Sequence, residues 1–566
     1  MNTEILGVVI MFILMVLFAI PLGRYMGKVY EGERTWLDPI LNPLDKLFYK
    51  LGGIKAEKQM TWKENLLAML LINFIWFILA MIILMNQSWL PLNPDGNPSM
   101  TADLAFNTAM SFISNTNIQH YSGESAVSYL GQLTLQFFQF VSAGTGMAVC
   151  VIVFVAMKEK TTDKLGNFYV YLIKSCTRIL LPLSIIAAIF LVFSGTPMTF
   201  QGKGQFVSLQ GDTVNVSRGP SAAMIAIKQI GTNGGGFYGV NSAHPFENPS
   251  YLTAGLEVIY IILIPIALLF TMGYMLKRKR LAWTFFIIMA IGFLLFAIPA
   301  VHYEMKGNPA ITQMGIAQPL GSMEGKEVRF GSALSAYWGI SATATSNGSV
   351  CAMHDSFTPL TGMLCMWGMM VNCIFGGVGV GFLNFYIFVI IAVFIGGLMV
   401  GRTPEFLGKK LEAKETKIAT VIALLHIFLA LGGTALACHL YVGDPQTYSG
   451  WLNNPGYHGF SEMLYEYFSA SSNNGSEFAG LSANVPFWNI SDGVIMVIGR
   501  YLPIIGPLAI AGIMANKKYV PESAGTLKTD TGTFGILVLA VIFIVAALSF
   551  FPALVLGPIA EFFKMR

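Results

Sequence analysis

The sequence predicts an all-α membrane protein of about ten transmembrane helices, built as four unequal pseudo-repeats of helix, re-entrant pore loop and helix around a central pore. Three observations carry this expectation: apolar runs of bilayer length, basic residues concentrated in every second connection, and a polar loop that recurs four times.

Of 566 residues, 54% are apolar and 11% charged, against about 25% charged in a soluble domain, so lipid is the main solvent. Runs near the roughly 17 to 25 residues that cross a bilayer lie at about 5–22, 66–86, 133–157, 173–195, 255–276, 281–301, 363–400, 418–442, 489–515 and 533–557. The first is read as an uncleaved span and not a secretory signal. It carries Glu4 in place of a basic leader, and its positive charges, Arg24 and Lys28, follow the apolar stretch.

The connections Arg24 to Lys63, Lys158 to Arg178, Lys277 to Arg280, Arg402 to Lys417 and Lys517 to Lys528 hold 25 of the 34 Lys and Arg residues. Such bias marks cytoplasmic loops and puts both termini outside. A net charge of +4 without a basic stripe argues against nucleic-acid binding. Six cysteines without C-x-x-C spacing suggest neither zinc nor a disulfide framework and read as small core hydrophobes. His120, His244, His354 and His426 show no ligand spacing and read as satisfied polar or core residues.

The four connections on the other side each hold a short amphiphilic stretch opened by a candidate cap, Thr101, Ser221, Ser332 or Ser461, and too short to span. Each runs into a polar segment: Asn115-Thr116-Asn117, Gly231 to Gly236, Thr343 to Ser349, and Ser471 to Ser476. Anchored at 116, 232, 346 and 472, these segments recur at intervals of 116, 114 and 126 residues, which is the mark of an internal repeat. Residues 1–566 are therefore expected to form one transmembrane domain. It divides into an extra span in 1–30, repeats at 60–160, 170–280, 281–402 and 415–516, and an extra span in 530–566.

Non-helical backbone is tolerated at membrane depth only where it faces protein or water, so four such loops must line a common cavity. A short helix ending there points its partly negative C-terminus at the cavity and favours a cation. Glycines 234, 235, 236, 348 and 475 allow positive φ and inward carbonyls. The loop cores carry no Asp or Glu, which points to a weakly hydrated monovalent ion. Potassium fits best, and sodium is the competitor least excluded.

Within the seventh apolar run, Gly376-Gly377-Val378-Gly379-Val380-Gly381 either breaks a helix too long to be straight or serves close helix packing. No strand precedes it, so it is not a dinucleotide fingerprint. Arg500 falls mid-span, where a charge costs about 2.5 to 3.5 kcal/mol. It is expected below the loops, blocking free conduction of cations. Arg402 opens a basic connection, so topology alone accounts for it, a coupling role being the alternative. Asp530-Thr531-Gly532-Thr533 lacks the Lys of the phosphorylation sequence of P-type pumps. With no phosphate loop and no cytoplasmic connection beyond about 45 residues, this chain is not expected to hydrolyse ATP by itself.

The stretches NTNIQHYSGES (115–125), GTNGGGFYGVNSAHPFENP (231–249), CAMHDSFTPL (351–360), GRTPEFLGKK (401–410) and NNGSEFAGL (473–481) resemble the KdpA family, the potassium-binding subunits of the bacterial potassium-transporting ATPase, over essentially the whole chain. The resemblance implies a selectivity filter of Asn115, Thr116, Asn117, Thr232, Asn233, Gly234, Ser346, Asn347, Gly348, Asn473, Asn474 and Gly475. It also implies a position at Gln119 that influences affinity, and a broken helix at Gly376, Gly377, Gly379 and Gly381 that gates passage. K+ would be the transported ion, with no nucleotide bound here. The implied partners are KdpB, the P-type ATPase subunit, KdpC and usually KdpF, in the bacterial plasma (inner) membrane. The third loop departs from the family where Ser346 and Ser349 stand. A stand-alone passive or ion-coupled K+ transporter of the same pore superfamily is the alternative. A membrane-embedded enzyme ranks below both, because no nucleophile and base are clustered.

Overall fold

The computed structural model describes residues 3–399, 401, 403–521 and 527–565. Ten of its helices are long and apolar enough to cross a membrane. They are span 1 (Thr3–Glu31), span 2 (Trp62–Leu84), span 3 (Tyr129–Lys158), span 4 (Phe168–Phe193), span 5 (Tyr251–Met275), span 6 (Lys279–Lys306), the second half of span 7 (Val380–Met399), span 8 (Ala413–Gly443), span 9 (Pro486–Ala515) and span 10, which starts at Gly532. A shorter apolar helix, Pro359–Val371, forms the first half of span 7. Four further helices lie between spans: pore helix 1 (Ala102–Ile113), pore helix 2 (Ser221–Ile230), pore helix 3 (Gly331–Ala344) and pore helix 4 (Tyr457–Ser472).

Spans 3 and 5 are enclosed on nearly all sides, whereas spans 1, 2 and 8 sit at the periphery with most of their apolar surface turned outward. Span 1 lies against span 5 along Gly23 and Gly27, a small-residue pair one turn apart. A Cβ on Gly23 would come 2.5 Å from the Ala267 carbonyl oxygen, and one on Gly27 would come 2.5 Å from the Tyr274 ring. Small residues at such a seam let backbones approach where lipid offers no hydrophobic drive to association. Thr271 Oγ1 donates to the Gly23 carbonyl across the contact at 3.1 Å.

The connection between spans 1 and 2 holds an amphipathic helix, Asp38–Leu51, that the basic-loop reading does not anticipate. Its Ile40, Leu47 and Leu51 are exposed, the disposition of a helix lying in a membrane interface. Its inner face is anchored by Asp45, buried against Arg178, whose guanidinium also bonds Asp38 and Asn42. Arg178 lies in a π-helical turn, Ser175–Leu180, inside span 4. Between span 4 and pore helix 2 the chain forms a small antiparallel hairpin, Gly204–Val207 with Thr213–Val216, pairing Gly204 with Val216.

Candidate functional site

The four expected cap residues do not cap. Thr101 precedes pore helix 1 in extended conformation but makes no capping bond, and Ser221, Ser332 and Ser461 lie inside their helices. Their hydroxyls donate elsewhere, to the carbonyls of Pro197, Leu320 and Tyr457. The starts of pore helices 2 and 3 are buried, whereas those of pore helices 1 and 4 are exposed at Thr101, Ala102 and Tyr457. Glu4 Oε2 of span 1 accepts from the Ala333 amide at 3.2 Å, placing a carboxylate at the positive end of pore helix 3.

The helix ends are alike in all four units. The amides of Thr116, Asn233, Asn347 and Asn474 each bond the carbonyl five residues back, on Ser111, Lys228, Ala342 and Ser469, at 2.8 to 3.0 Å. The residues just before them, Asn115, Thr232, Ser346 and Asn473, all have left-handed φ between 48° and 63°. This is the Schellman closure, in which one left-handed residue turns the chain out of the helix. The equivalent residues are thus 116, 233, 347 and 474, so three of the sequence anchors sit one or two residues early. Gly234, Gly235 and Gly475 have positive φ, but Gly236 and Gly348 do not.

Gly348 is required for a different reason: the loops touch backbone to backbone. A Cβ on Gly234 would lie 2.1 Å from Gly348 N, one on Gly348 2.7 Å from Gly475 C, and one on Gly475 1.9 Å from the Thr116 carbonyl oxygen. Gly235 faces Asn117 Cβ at 3.1 Å, so the four loops form a closed ring in chain order.

The asparagine amides clamp this ring. Asn115 Nδ2 donates to the carbonyls of Gly231 and Thr232, and Asn117 Nδ2 to that of Gly234. Asn347 Nδ2 reaches the Lys228 carbonyl, Asn474 Nδ2 the carbonyls of Ala342 and Asn347, and Asn473 Nδ2 the hydroxyl of Thr116. Asn233 donates to Asn115, to the Gln139 carbonyl and to Ser142. Gln139 and Ser142 of span 3 were not among the sequence candidates; a run of polar and small residues inside an otherwise apolar span was their only signal. The Oδ1 atoms of Asn117 and Asn233 are buried and accept no hydrogen bond.

Gln119 grips the second loop from both sides. Its Oε1 accepts from the Gly236 amide at 2.7 Å and its Nε2 donates to the Gly236 carbonyl at 3.1 Å. Two fully buried ion pairs hold the segments outside the ring, Lys228 with Glu247 at 2.5 Å and Lys326 with Glu304 at 2.8 Å. At the start of pore helix 4, His458 sits between Asp355 at 2.9 Å and Glu561 at 2.8 Å. Burial opposes charging this ring, but the two carboxylates outweigh it and push the imidazole from 6.5 up to about 10. A folded value above the ordinary one stabilises the fold fully below about pH 6.5, and this contribution fades as pH rises through about 10. His458→Gln is expected to flatten the decline of melting temperature across that window; a decline as steep as that of the unaltered chain would contradict it.

Beneath the ring, span 7 is broken after Val371, and helix resumes at Val380, so Gly381 is helical while Gly376, Gly377 and Gly379 lie in the break. A Cβ on Gly377 would come within 3.4 to 3.6 Å of the Thr345 carbonyl oxygen, Ser346 and Thr232. The Val378 amide donates to Thr232 Oγ1 at 2.9 Å. A Cβ on Gly379 would meet the Gly146 carbonyl of span 3 at 2.1 Å, and Gly376 and Gly381 are in contact with each other. Asn372, left-handed at the break, accepts from Ser346 Oγ and donates to the Ser472 carbonyl, linking break to ring. Arg500 is buried next to the same step of span 3: its Nη2 donates to the Ser142 carbonyl at 3.3 Å and lies 3.3 Å from where a Gly146 Cβ would stand. Among the described residues no carboxylate pairs with it. Arg402 lies outside the described residues.

The family model described as KdpA, Potassium-transporting ATPase A subunit, matches residues 9–563. Three curated relatives carry the name potassium-transporting ATPase potassium-binding subunit. That of Flavobacterium johnsoniae is 61% identical over 100% of both chains, that of Bacteroides thetaiotaomicron 55% over 99% of both, and that of Alicyclobacillus acidocaldarius 48% over 98% of both. Among solved structures, the crystal structure of the potassium transporter TrkH from Vibrio parahaemolyticus is similar in fold. It has a TM-score of 0.50 at 15% identity, covering 90% of this chain and 98% of that one.

Proposed function

The chain belongs to the KdpA family, and from that premise we infer that it is the potassium-binding, channel-like subunit of an ATP-driven potassium uptake complex. It is a multi-pass membrane protein, and the reading places it in the bacterial plasma membrane with its pore helices outward. Its division into four units with flanking spans 1 and 10 is part of the same reading, supported by the four matching helix closures. The ATPase subunit KdpB supplies the hydrolysis, and KdpC and KdpF complete the assembly.

One observation carries the filter assignment: four loops with the same closure meet in a closed ring. Left-handed residues beside right-handed ones turn successive peptide planes, which allows rings of carbonyl oxygens to replace the hydration shell of K+. The loop cores carry no carboxylate, and neutral oxygens suit a weakly hydrated cation. In this reading the break in span 7 gates the inner side, Arg500 repels cations below it, and Arg402 contributes to coupling.

Gln119 offers the test. Gln119→Leu leaves both polar groups of Gly236 without their partner, a loss of about 1 to 3 kcal/mol. Half-saturating potassium for ATP hydrolysis by the complex is expected to rise about 10- to 100-fold, with maximal rate unchanged. An unaltered potassium titration would remove the second loop from the ion path.

A further inference from the structure

Folding assembles a cluster outside the ring that spacing in the sequence does not announce. His120 follows the first loop, Glu466 is on pore helix 4, Glu477 follows the fourth loop and Asp492 is on span 9. Nε2 of His120 lies 3.5 Å from Glu466 Oε1, 3.9 Å from Glu477 Oε1 and 3.9 Å from Asp492 Oδ2. The side chains of His120, Glu466 and Asp492 are fully buried, and Glu477 is one-fifth exposed. His120 Nε2 and both carboxylate oxygens of Glu466 and of Asp492 have no hydrogen-bond partner.

The other ring nitrogen fixes how His120 faces them. Its Nδ1 is 2.7 Å from Asn489 Oδ1. The Asn489 amide nitrogen donates to Asp103 at 2.8 Å and to Asn484 at 3.2 Å, so Oδ1 is the acceptor turned to the histidine. Nδ1–H therefore donates to Oδ1, and Nε2 is the ring nitrogen turned to the carboxylates. Separations of 3.5 to 3.9 Å are longer than an ordinary hydrogen bond. They are close to the distance between two ligands of one ion: bonds of about 2.1 Å in tetrahedral array put donors about 3.4 Å apart. A histidine held through Nδ1–H to an amide oxygen is also how ligating imidazoles are oriented.

We propose that His120, Glu466, Asp492 and Glu477 form a site for a divalent transition ion of the Zn2+ or Mn2+ class. An imidazole nitrogen beside carboxylates selects against K+ and against the all-oxygen shells of Ca2+ and Mg2+. The site spans the join between the first and fourth loops, where Gly475 packs on Thr116, and an ion there would clasp the ring at the seam that joins its ends. The site stands on these four side chains and not on the filter assignment. The alternative cluster, Asp355, His458 and Glu462, has its histidine already hydrogen-bonded on both nitrogens.

The test is made on the assembled complex at constant potassium, freed of chelator and equilibrated with Zn2+ and, separately, Mn2+, with bound metal counted by mass spectrometry. The double variant Glu466→Gln with Asp492→Asn is expected to lose about one ion per chain relative to the unaltered complex. Asn489→Ala is expected to bind about 10- to 100-fold more weakly, while Asp355→Asn keeps full occupancy. Equal metal content in the unaltered and double-variant complexes overturns the site. Should the double variant not assemble, the unaltered complex decides: its melting temperature is expected to rise with either probe ion, and indifference to both overturns the proposal.

Discussion

Gly475→Ala is expected to abolish potassium-stimulated ATP hydrolysis at ordinary potassium concentrations. The residue has φ of +99°, and its added methyl would stand 1.9 Å from the Thr116 carbonyl oxygen. Left-handed backbone alone costs an L side chain roughly 1 to 2 kcal/mol, and the overlap must also push the fourth loop away from the first. A combined cost of about 3 kcal/mol corresponds to more than a hundredfold weaker binding. The check is a potassium titration of ATPase activity in the purified complex, with assembly verified by size exclusion. Half-saturation and rate like those of the unaltered complex would mean that this contact does not border the ion.

Arg500→Ala is expected to open a leak. A cation passing within about 6 Å of a guanidinium at an effective dielectric of about 20 meets a barrier of about 3 kcal/mol, or roughly a hundredfold in rate. Rubidium efflux from proteoliposomes without ATP is the measurement, with Arg500→Lys expected to retain the block. Efflux from the alanine variant no faster than from unaltered complex, with transport still coupled to hydrolysis, would assign Arg500 to packing alone.

Much of this molecule is readable from the chain because lipid imposes long apolar helices. The four polar loops are legible for a related reason: Asn and Gly stand between apolar spans where only a lined cavity can accept them. What the chain hides is set by tertiary packing. Thr101, Ser221, Ser332 and Ser461 have the chemistry of caps, yet none caps, and the three serines instead donate to the carbonyls of Pro197, Leu320 and Tyr457. The asparagines are conspicuous in the sequence, but only folding shows that their amide N–H groups tie one loop to the next. Gly348 reads as a positive-φ residue, although its role is to let the third and fourth loops touch. His120 stands alone in the sequence because its neighbours come from residues some 350 positions away.

The carboxylate of Glu4 at the start of pore helix 3 bears on how the protein is made. Span 1 leaves the ribosome well before its packing partner, Tyr251–Met275, and the helix it caps, Gly331–Ala344. Until then its Gly23 and Gly27 face lacks its partner in the fold. Completion of the third quarter is thus tied to the late docking of the first segment, and insertion machinery that holds span 1 nearby would set the pace at which the ring closes.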